Sequence, residues 1–362
     1  MLSMYDVIIV GAGVGGSHLA SKLKGNVLVL EKDKKIKPKD SGIVSKNFLN
    51  FFGKEFIKDK ISEMKVMSPS GNVIFLQNRN EPMAYIIKRE SFAAHLHKIA
   101  KKHADFRSEI VKEIIYEKDH VIVETNAGTY ETRLIVGADG GNSVVRQSAG
   151  ISPPERAVGI MIKSKKKFEG PIKVFMNKYY SPDFYSWIIP QNKEYGLISH
   201  VRPKAYLDHF QSDQRLPGGK VYASVLPVGT CKSFSDRTVL IGEAAGITKP
   251  ITGGGIIFAL VTANYAADII NDAVQLDMYG SSMLSSYERG WKMELGKEIK
   301  KQLFARKMYK KLSNKDIDDL FKEFGSFVEK FDYDYDRLSE AAKRIPKLRL
   351  LKFMISKARL MF

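Results

Sequence analysis

The chain has 362 residues, 44% of them hydrophobic, and a formal net charge of +18. That length exceeds one typical domain but is short for three, and the apolar content suffices for a sizeable core. The single cysteine, Cys231, excludes a disulfide framework and a thiolate cluster for zinc or iron–sulfur, while the cationic excess favours a polyanionic neighbour, nucleic acid or an anionic lipid surface.

The start, MLSMYDVIIVGAG, runs directly into a strand without a basic n-region or cleavage site, and no uninterrupted apolar run reaches bilayer-spanning length. The expectation is a cytoplasmic protein, neither secreted nor transmembrane. In YDVIIVGAGVGGSHLASKLKGNVLVLEK a strand, Val7 to Val10, meets Gly11, Gly13 and Gly16, then a helical stretch through Leu23, then a second strand, Val27 to Leu30, ending at Glu31. Gly11 allows the tight turn, Gly13 lets the backbone approach a pyrophosphate, and Gly16 lets helix and strand pack closely. Glu31 falls about twenty residues after the first glycine, where a carboxylate accepts hydrogen bonds from ribose hydroxyls. There is no second such fingerprint.

EMKVMSPSGNVIFLQ reads as a hairpin around Ser70 and Gly71, and YIIKRESFAAHLHKIAKK places Arg89 at the start of a helix. TYETRLIVGADGGNSVVRQSAGI reads as a strand, Leu134 to Val136, an Ala138-Asp139-Gly140 turn and a helix from near Ser143. Residues 158–231 are rich in short alternating strands that predict one antiparallel sheet. Tyr185 and Trp187 alternate along one of them, which suits the lining of an apolar slot. RTVLIGEAAGITKPITGGGIIFALV reads as a strand, Val239 to Ile241, a turn at Gly242 and Glu243, and a long helix from near Gly255. Past Leu276 the chain turns helical and charged. After Glu340 it carries seven basic residues and no acid, with Leu348, Leu351, Ile355, Ala358 and Phe362 on one helical stripe, the pattern of an interfacial helix. No nucleic-acid motif accompanies these cations, so an anionic membrane surface is the expected neighbour and nucleic acid is not.

The turns at Asp139 and at Glu243 resemble motifs of the flavoprotein hydroxylase and reductase superfamily, which selects FAD as the nucleotide; Glu243 departs from the usual aspartate. The segment FYSWIIPQNKEYG is similar to the Tyr-x-Trp-x-Phe-Pro motif of the geranylgeranyl reductase family, with Ile189 in place of Phe and Gly196 following. PITGGGI and the helical stretch SSYERGWKMELGKEIKKQLFARKMYKKLSNKDIDDLF resemble the same family, so the likeness runs from near residue 4 to about 325. In PKDSGIVSK, Asp40 stands where many members carry cysteine. A proton-donor role for Asp40 requires burial that raises its pKa.

The resemblance implies an α/β fold with an α+β second domain. A Rossmann-type FAD-binding domain takes residues 1–62, 85–157 and 232–275; an antiparallel-sheet substrate domain takes 63–84 and 158–231; a helical region with the basic tail takes 276–362. It also implies cofactor contacts at Gly11, Gly13, Val14, Gly15, Gly16, Glu31, Lys32, Ser41, Gly42, Arg89, Val111, Asp139, Gly140, Gly242, Glu243, Gly253, Gly254, Gly255 and Ile256, with no metal. Asp40, Tyr185 and Trp187 are the candidate catalytic residues. The implied activity is FAD-dependent saturation of geranylgeranyl chains in isoprenoid ether lipids or prenyl diphosphates. The reaction needs an external reductant that the sequence does not identify, with NAD(P)H and reduced ferredoxin (and so an electron-donor protein) as candidates, and the enzyme is expected to sit peripherally on the inner face of the membrane. A monooxygenase or halogenase of the same superfamily is the alternative within the enzyme class. A non-catalytic flavin-containing lipid-binding protein is the alternative outside it.

Overall fold

The computed structural model describes residues 4–34 and 40–342, together with 346, 349 and 353. Apart from Arg349 and Phe353, the amphipathic tail expected over residues 347–362 lies outside the described residues.

The chain opens with β1 (Tyr5–Val10), α1 (Val14–Ala20) and β2 (Val27–Leu30). Both strands are almost wholly apolar because both of their faces are covered, which removes the alternation of a half-exposed strand. Val7, Ile8, Ile9, Leu28 and Val29 are accordingly inaccessible to solvent. α1 stops at Ala20 and does not reach Leu23, because the Ser21 hydroxyl donates back to the His18 carbonyl and competes with continued helix. Next come β3 (Ile43–Val44), β4 (Ile57–Ile61), the hairpin β5 (Glu63–Met67) and β6 (Val73–Gln77), β7 (Ala84–Ile87) and α2 (Arg89–Ala100). They are followed by β8 (Asp105–Arg107), the hairpin β9 (Val111–Tyr116) and β10 (Val121–Thr125), β11 (Thr129–Gly137) and α3 (Val144–Ser148). The middle of the chain forms β12 (Glu155–Ser164), β13 (Ile172–Phe175), β14 (Ser186–Ile189), β15 (Glu194–Ser199), α4 (Pro203–Asp213), β16 (Gly219–Val228), β17 (Phe234–Ser235) and β18 (Thr238–Leu240). The rest of the described chain forms α5 (Ile256–Leu276), α6 (Ser281–Trp291), α7 (Lys297–Lys311), α8 (Asn314–Val328) and a short α9 (Ser339–Ala342).

Two large sheets divide these strands. The first runs β17-β18-β11-β1-β2-β8, with β10 and β9 attached beside β11. β1 is parallel to both β11 and β2, so the carboxyl ends of the central strands open at one edge, where ligands of such sheets bind. The second runs β16-β12-β15-β14-β13-β5-β6. It departs from the expected antiparallel sheet at one seam, because β13 pairs parallel to β5. The β5–β6 hairpin comes from far earlier in the chain, and a long connection allows a parallel pairing that a tight hairpin forbids. A third, three-stranded sheet, β3-β7-β4, brings Gly42 beside Arg89: the Ile87 amide donates to the Gly42 carbonyl at 3.0 Å.

α5 is long and apolar enough to cross a membrane by length and composition, although polar residues such as Asn264 and Asp268 interrupt its apolar run. Its apolar residues instead meet the core: it packs against α1 and α6, with Phe258, Leu260, Ala263, Ala266 and Ile270 among its buried positions.

Candidate functional site

The β1–α1 turn shows why its glycines are spaced as they are. Gly11 sits at φ +99°, a conformation side chains disfavour. A Cβ on Gly16 would lie 2.0 Å from the Gly11 carbonyl oxygen, so helix and strand meet only because it is absent. A Cβ on Gly13 would meet nothing within 4 Å; the residue faces open space at the start of α1, where backbone amides attract an anion. Glu31 accepts a 2.8 Å hydrogen bond from the Ala12 amide and a 3.0 Å bond from the Asp33 amide, which fixes the carboxylate at the end of β2.

These residues open into a cavity of about 1500 Å³. That exceeds the roughly 300–1,000 Å³ of an ordinary ligand pocket, enough for more than one molecule. Every expected cofactor contact lines it except Gly16, whose task is packing: Val14, Gly15, Lys32, Ser41, Gly42, Arg89, Val111, Asp139, Gly140, Gly242, Glu243, Gly253, Gly254, Gly255 and Ile256 all do. Asp40, Tyr185 and Trp187 line the same space.

Its polar wall is incompletely satisfied. Arg89, the first residue of α2, reaches Asp40 Oδ2 with Nη2 at 2.5 Å, while its Nε and Nη1 are buried without a partner. Asp139 Oδ2 accepts the Val144 amide at 2.7 Å and so caps α3, while Oδ1 is buried without a partner. Burial raises the Asp139 carboxyl above its usual range against the hydrogen bonds from Ser143 and the α3 amides. Gly253 adopts φ +72°, and its amide donates to the Lys249 carbonyl at 2.8 Å, folding the three glycines into a loop that ends at the N-terminus of α5. The open space at Gly13, the orphaned donors of Arg89 and the glycine loop offer room and hydrogen-bond donors that suit an anionic dinucleotide such as FAD. The burial that a proton-donor role for Asp40 demands is absent, since its side chain is 45% exposed and ion-paired with Arg89. Among the described residues, no group of three or more His, Cys, Asp or Glu is placed to hold a metal ion.

Beyond the glycine loop the cavity becomes apolar. The Tyr185 hydroxyl donates to the Thr252 carbonyl at 2.8 Å, and burial keeps that phenol neutral by raising its pKa well above the usual value. Trp187, ring centroid 6.0 Å from that of Tyr185, has its indole nitrogen buried without a partner. Met64, Val66, Ile74 and Val174 of the second sheet line the cavity together with Ile317, Leu320, Phe321 and Phe324 of α8, and Val66, Ile74, Ile317 and Phe321 pack in one buried cluster there. Sequence reasoning did not assign these α8 residues to the slot, although their helical spacing was readable. It also missed Arg306 of α7, at the cavity wall 3.7 Å from Asp183, whose pKa burial lowers to about 9, so that it stays a cation at neutral pH.

The parallel-centred sheet, the mixed sheet and the cavity they line form a fold that this chain shares with solved flavin-dependent proteins. A geranylgeranyl bacteriochlorophyll reductase-like protein from Thermoplasma acidophilum shares it at TM-score 0.84, 22% identical, covering 99% of this chain and 100% of that one. A halogenase solved in complex with FAD shares it at TM-score 0.65 and 14% identity, over 94% of this chain and 85% of that one. No protein-family model matches the chain. The chain is similar to the digeranylgeranylglycerophospholipid reductase of Methanocaldococcus jannaschii, 26% identical over 97% of each chain. The resemblance to the geranylgeranyl reductases therefore extends along nearly the whole sequence.

Proposed function

We propose that the chain is an FAD-dependent reductase that saturates double bonds of geranylgeranyl chains in isoprenoid ether lipids or prenyl diphosphates. The observation that carries this reading is the continuity of one cavity, from the Gly13 turn past Gly253–Gly255 into the apolar arm beside Tyr185 and Trp187. Gly13 and the α1 amides would hold the pyrophosphate, Glu31 the ribose, Glu243 the ribityl chain, and the glycine loop and Arg89 the ring. When bound and reduced, FAD supplies hydride to one carbon of the double bond. Tyr185, tied to Thr252, positions the chain at the glycine loop, while Trp187 and the α8 side chains exclude water. The reductant is NAD(P)H or reduced ferredoxin, and the protein works in the cytoplasm against an anionic membrane surface. The division of the chain into a discontinuous flavin domain, a sheet domain and a helical region belongs to the same proposal.

The test uses the mass of the product. Purified protein is expected to be yellow and to release FAD on denaturation, and Gly13→Leu to be colourless. Given a geranylgeranyl lipid and chemically reduced enzyme without oxygen, each double bond reduced should raise the product mass by about 2 units, because one hydride and one proton are added. Trp187→Ala should lose turnover and keep its FAD. Product that forms only with oxygen would overturn the reading in favour of a monooxygenase.

A further inference from the structure

Each double bond saturated in a dry slot consumes one proton, which a group at or behind the cavity wall must supply. Asp40 is exposed and paired with Arg89, and Asp139 caps α3. Behind the wall lies Glu194, the first residue of β15, whose side chain is fully buried. Its Oε1 contacts the Ser41 hydroxyl and its Oε2 is buried without a hydrogen-bond partner. Ser41 itself lines the cavity, and the Asn192 side chain donates to its carbonyl at 2.6 Å, which pins this loop to the β14–β15 turn. The charged groups facing Glu194 are Lys163 on β12, with Nζ 3.9 Å from Oε2, Asp40 on the Ser41 loop and Lys58 on β4. Burial raises the Glu194 carboxyl above its usual range, Asp40 adds to the effect, and the Ser41 bond and the two lysines offset it only in part.

We propose that Ser41 and Glu194 deliver the proton of the reduction, Ser41 as the hydroxyl facing the double bond and Glu194 as the buried acid behind it. The inference rests on the reductase reading. With the electron pair of the hydride going to one alkene carbon, the π bond opens and the other carbon forms its C–H bond with the Ser41 hydroxyl proton. The Ser41 O–H bond is remade as the Glu194 O–H bond breaks, leaving a carboxylate beside Lys163. Lys163, 36% exposed, marks the side from which solvent returns the proton. One hydride and one water-derived proton are thus consumed per double bond, and NAD(P)H or reduced ferredoxin restores the reduced flavin. Ser41 is the catalytic residue of the pair; Glu194 acts through it.

Infrared spectroscopy tests the buried acid without turnover. For both FAD-free and FAD-loaded protein, the difference spectrum between wild type and Glu194→Gln should show a protonated-carboxyl C=O band at neutral pH that shifts in D₂O, separate from any band of the buried Asp139 carboxyl. In single turnovers of pre-reduced enzyme with a geranylgeranyl lipid, Glu194→Gln and Ser41→Ala should slow substrate-driven flavin oxidation about a hundredfold with FAD content retained. The wild-type rate should fall as pH rises through the Glu194 pKa, a dependence that Glu194→Gln abolishes and Glu194→Asp partly restores. If Glu194→Gln fails to fold, Ser41→Ala against Ser41→Thr carries the test, because only the latter keeps a hydroxyl. No carboxyl band, or FAD-loaded variants with wild-type rate and pH profile, overturns the proposal. Wild-type enzyme that reduces no prenyl chain overturns the reductase reading instead.

Discussion

Lys249 is a cation inside the glycine loop, yet it is almost wholly buried: its Nζ lies 3.0 Å from Asp336 Oδ1 and donates to the Tyr335 carbonyl at 3.3 Å. Burial alone would raise the Asp336 pKa. Lys249 together with hydrogen bonds from Ser45 and Asn47 outweighs it and holds the carboxyl below its usual range. One ion pair therefore joins the loop under the proposed ring site, the Ser45 turn and the segment after α8. Lys249→Met leaves a buried carboxylate without its cation, and the expected loss at neutral pH is about 3 kcal/mol or more. Because the folded pKa of Asp336 is depressed, its contribution is present above the unfolded value of about 4 and is lost as pH falls through the folded value. The difference in melting temperature between wild type and Lys249→Met should thus shrink as the pH is taken from 7 to below 4. A gap that stays constant across that range would mean the ion pair contributes nothing. None of this pairing is readable from the sequence, since Lys249 and Asp336 are far apart along the chain and resemble ordinary surface residues.

α8 illustrates the same point for an element. Its start is locally encoded: Ser313 accepts the Asp316 amide and the Asp316 carboxylate accepts the Ser313 amide, a capping box. Its apolar stripe is equally readable, and Ile317 and Phe321 on it form a buried cluster with Val66 and Ile74 at the cavity wall. Ile317, Phe321 and Phe324 of α8 and Val66, Ile74 and Val174 of the second sheet all line the cavity where these two elements meet. Val174 pairs with Trp187 in the β13–β14 register, so the aromatic motif and the arm share one surface. A large side chain there should shorten the slot. For Val174→Trp the expected outcome is at least about a tenfold loss of turnover with a geranylgeranyl chain, a smaller loss with a geranyl chain, and unchanged FAD content. The cost in stability should be about 1–3 kcal/mol. Equal losses for both chain lengths would argue against a slot along this face.

At the scale of the whole molecule the net charge of +18 asks for a partner. The seven cations after Glu340 lie in a segment mostly outside the described residues, so their role rests on sequence pattern alone. With about 1 kcal/mol per cation near an anionic surface, several of them together would hold the protein at a membrane, more weakly as salt is raised. Removing residues 347–362 should therefore reduce binding to vesicles containing anionic lipid while leaving the FAD content intact. A truncated chain that no longer folds would make the tail a structural helix and not an anchor.

The glycine turn at one end of the cavity was legible in the sequence because its constraints are local. A tight turn, a close helix–strand contact and an amide-lined helix start each demand glycine at fixed spacing, and Gly11, Gly13 and Gly16 meet those demands within a few residues of one another. The two strands flanking that turn and the hairpin around Ser70-Gly71 were legible for the same reason. What only the tertiary structure decided is whatever depends on residues distant in sequence. The parallel seam between β13 and β5 follows from a long connection and has no local signature. The exposure of Asp40 and its pairing with Arg89, 49 residues away, are likewise set by distant residues, as is the burial of Glu194 by the packing of β15 between β12 and β14. Electrostatics and desolvation depend on everything within a few ångströms of a group, and folding, not sequence order, determines which residues those are.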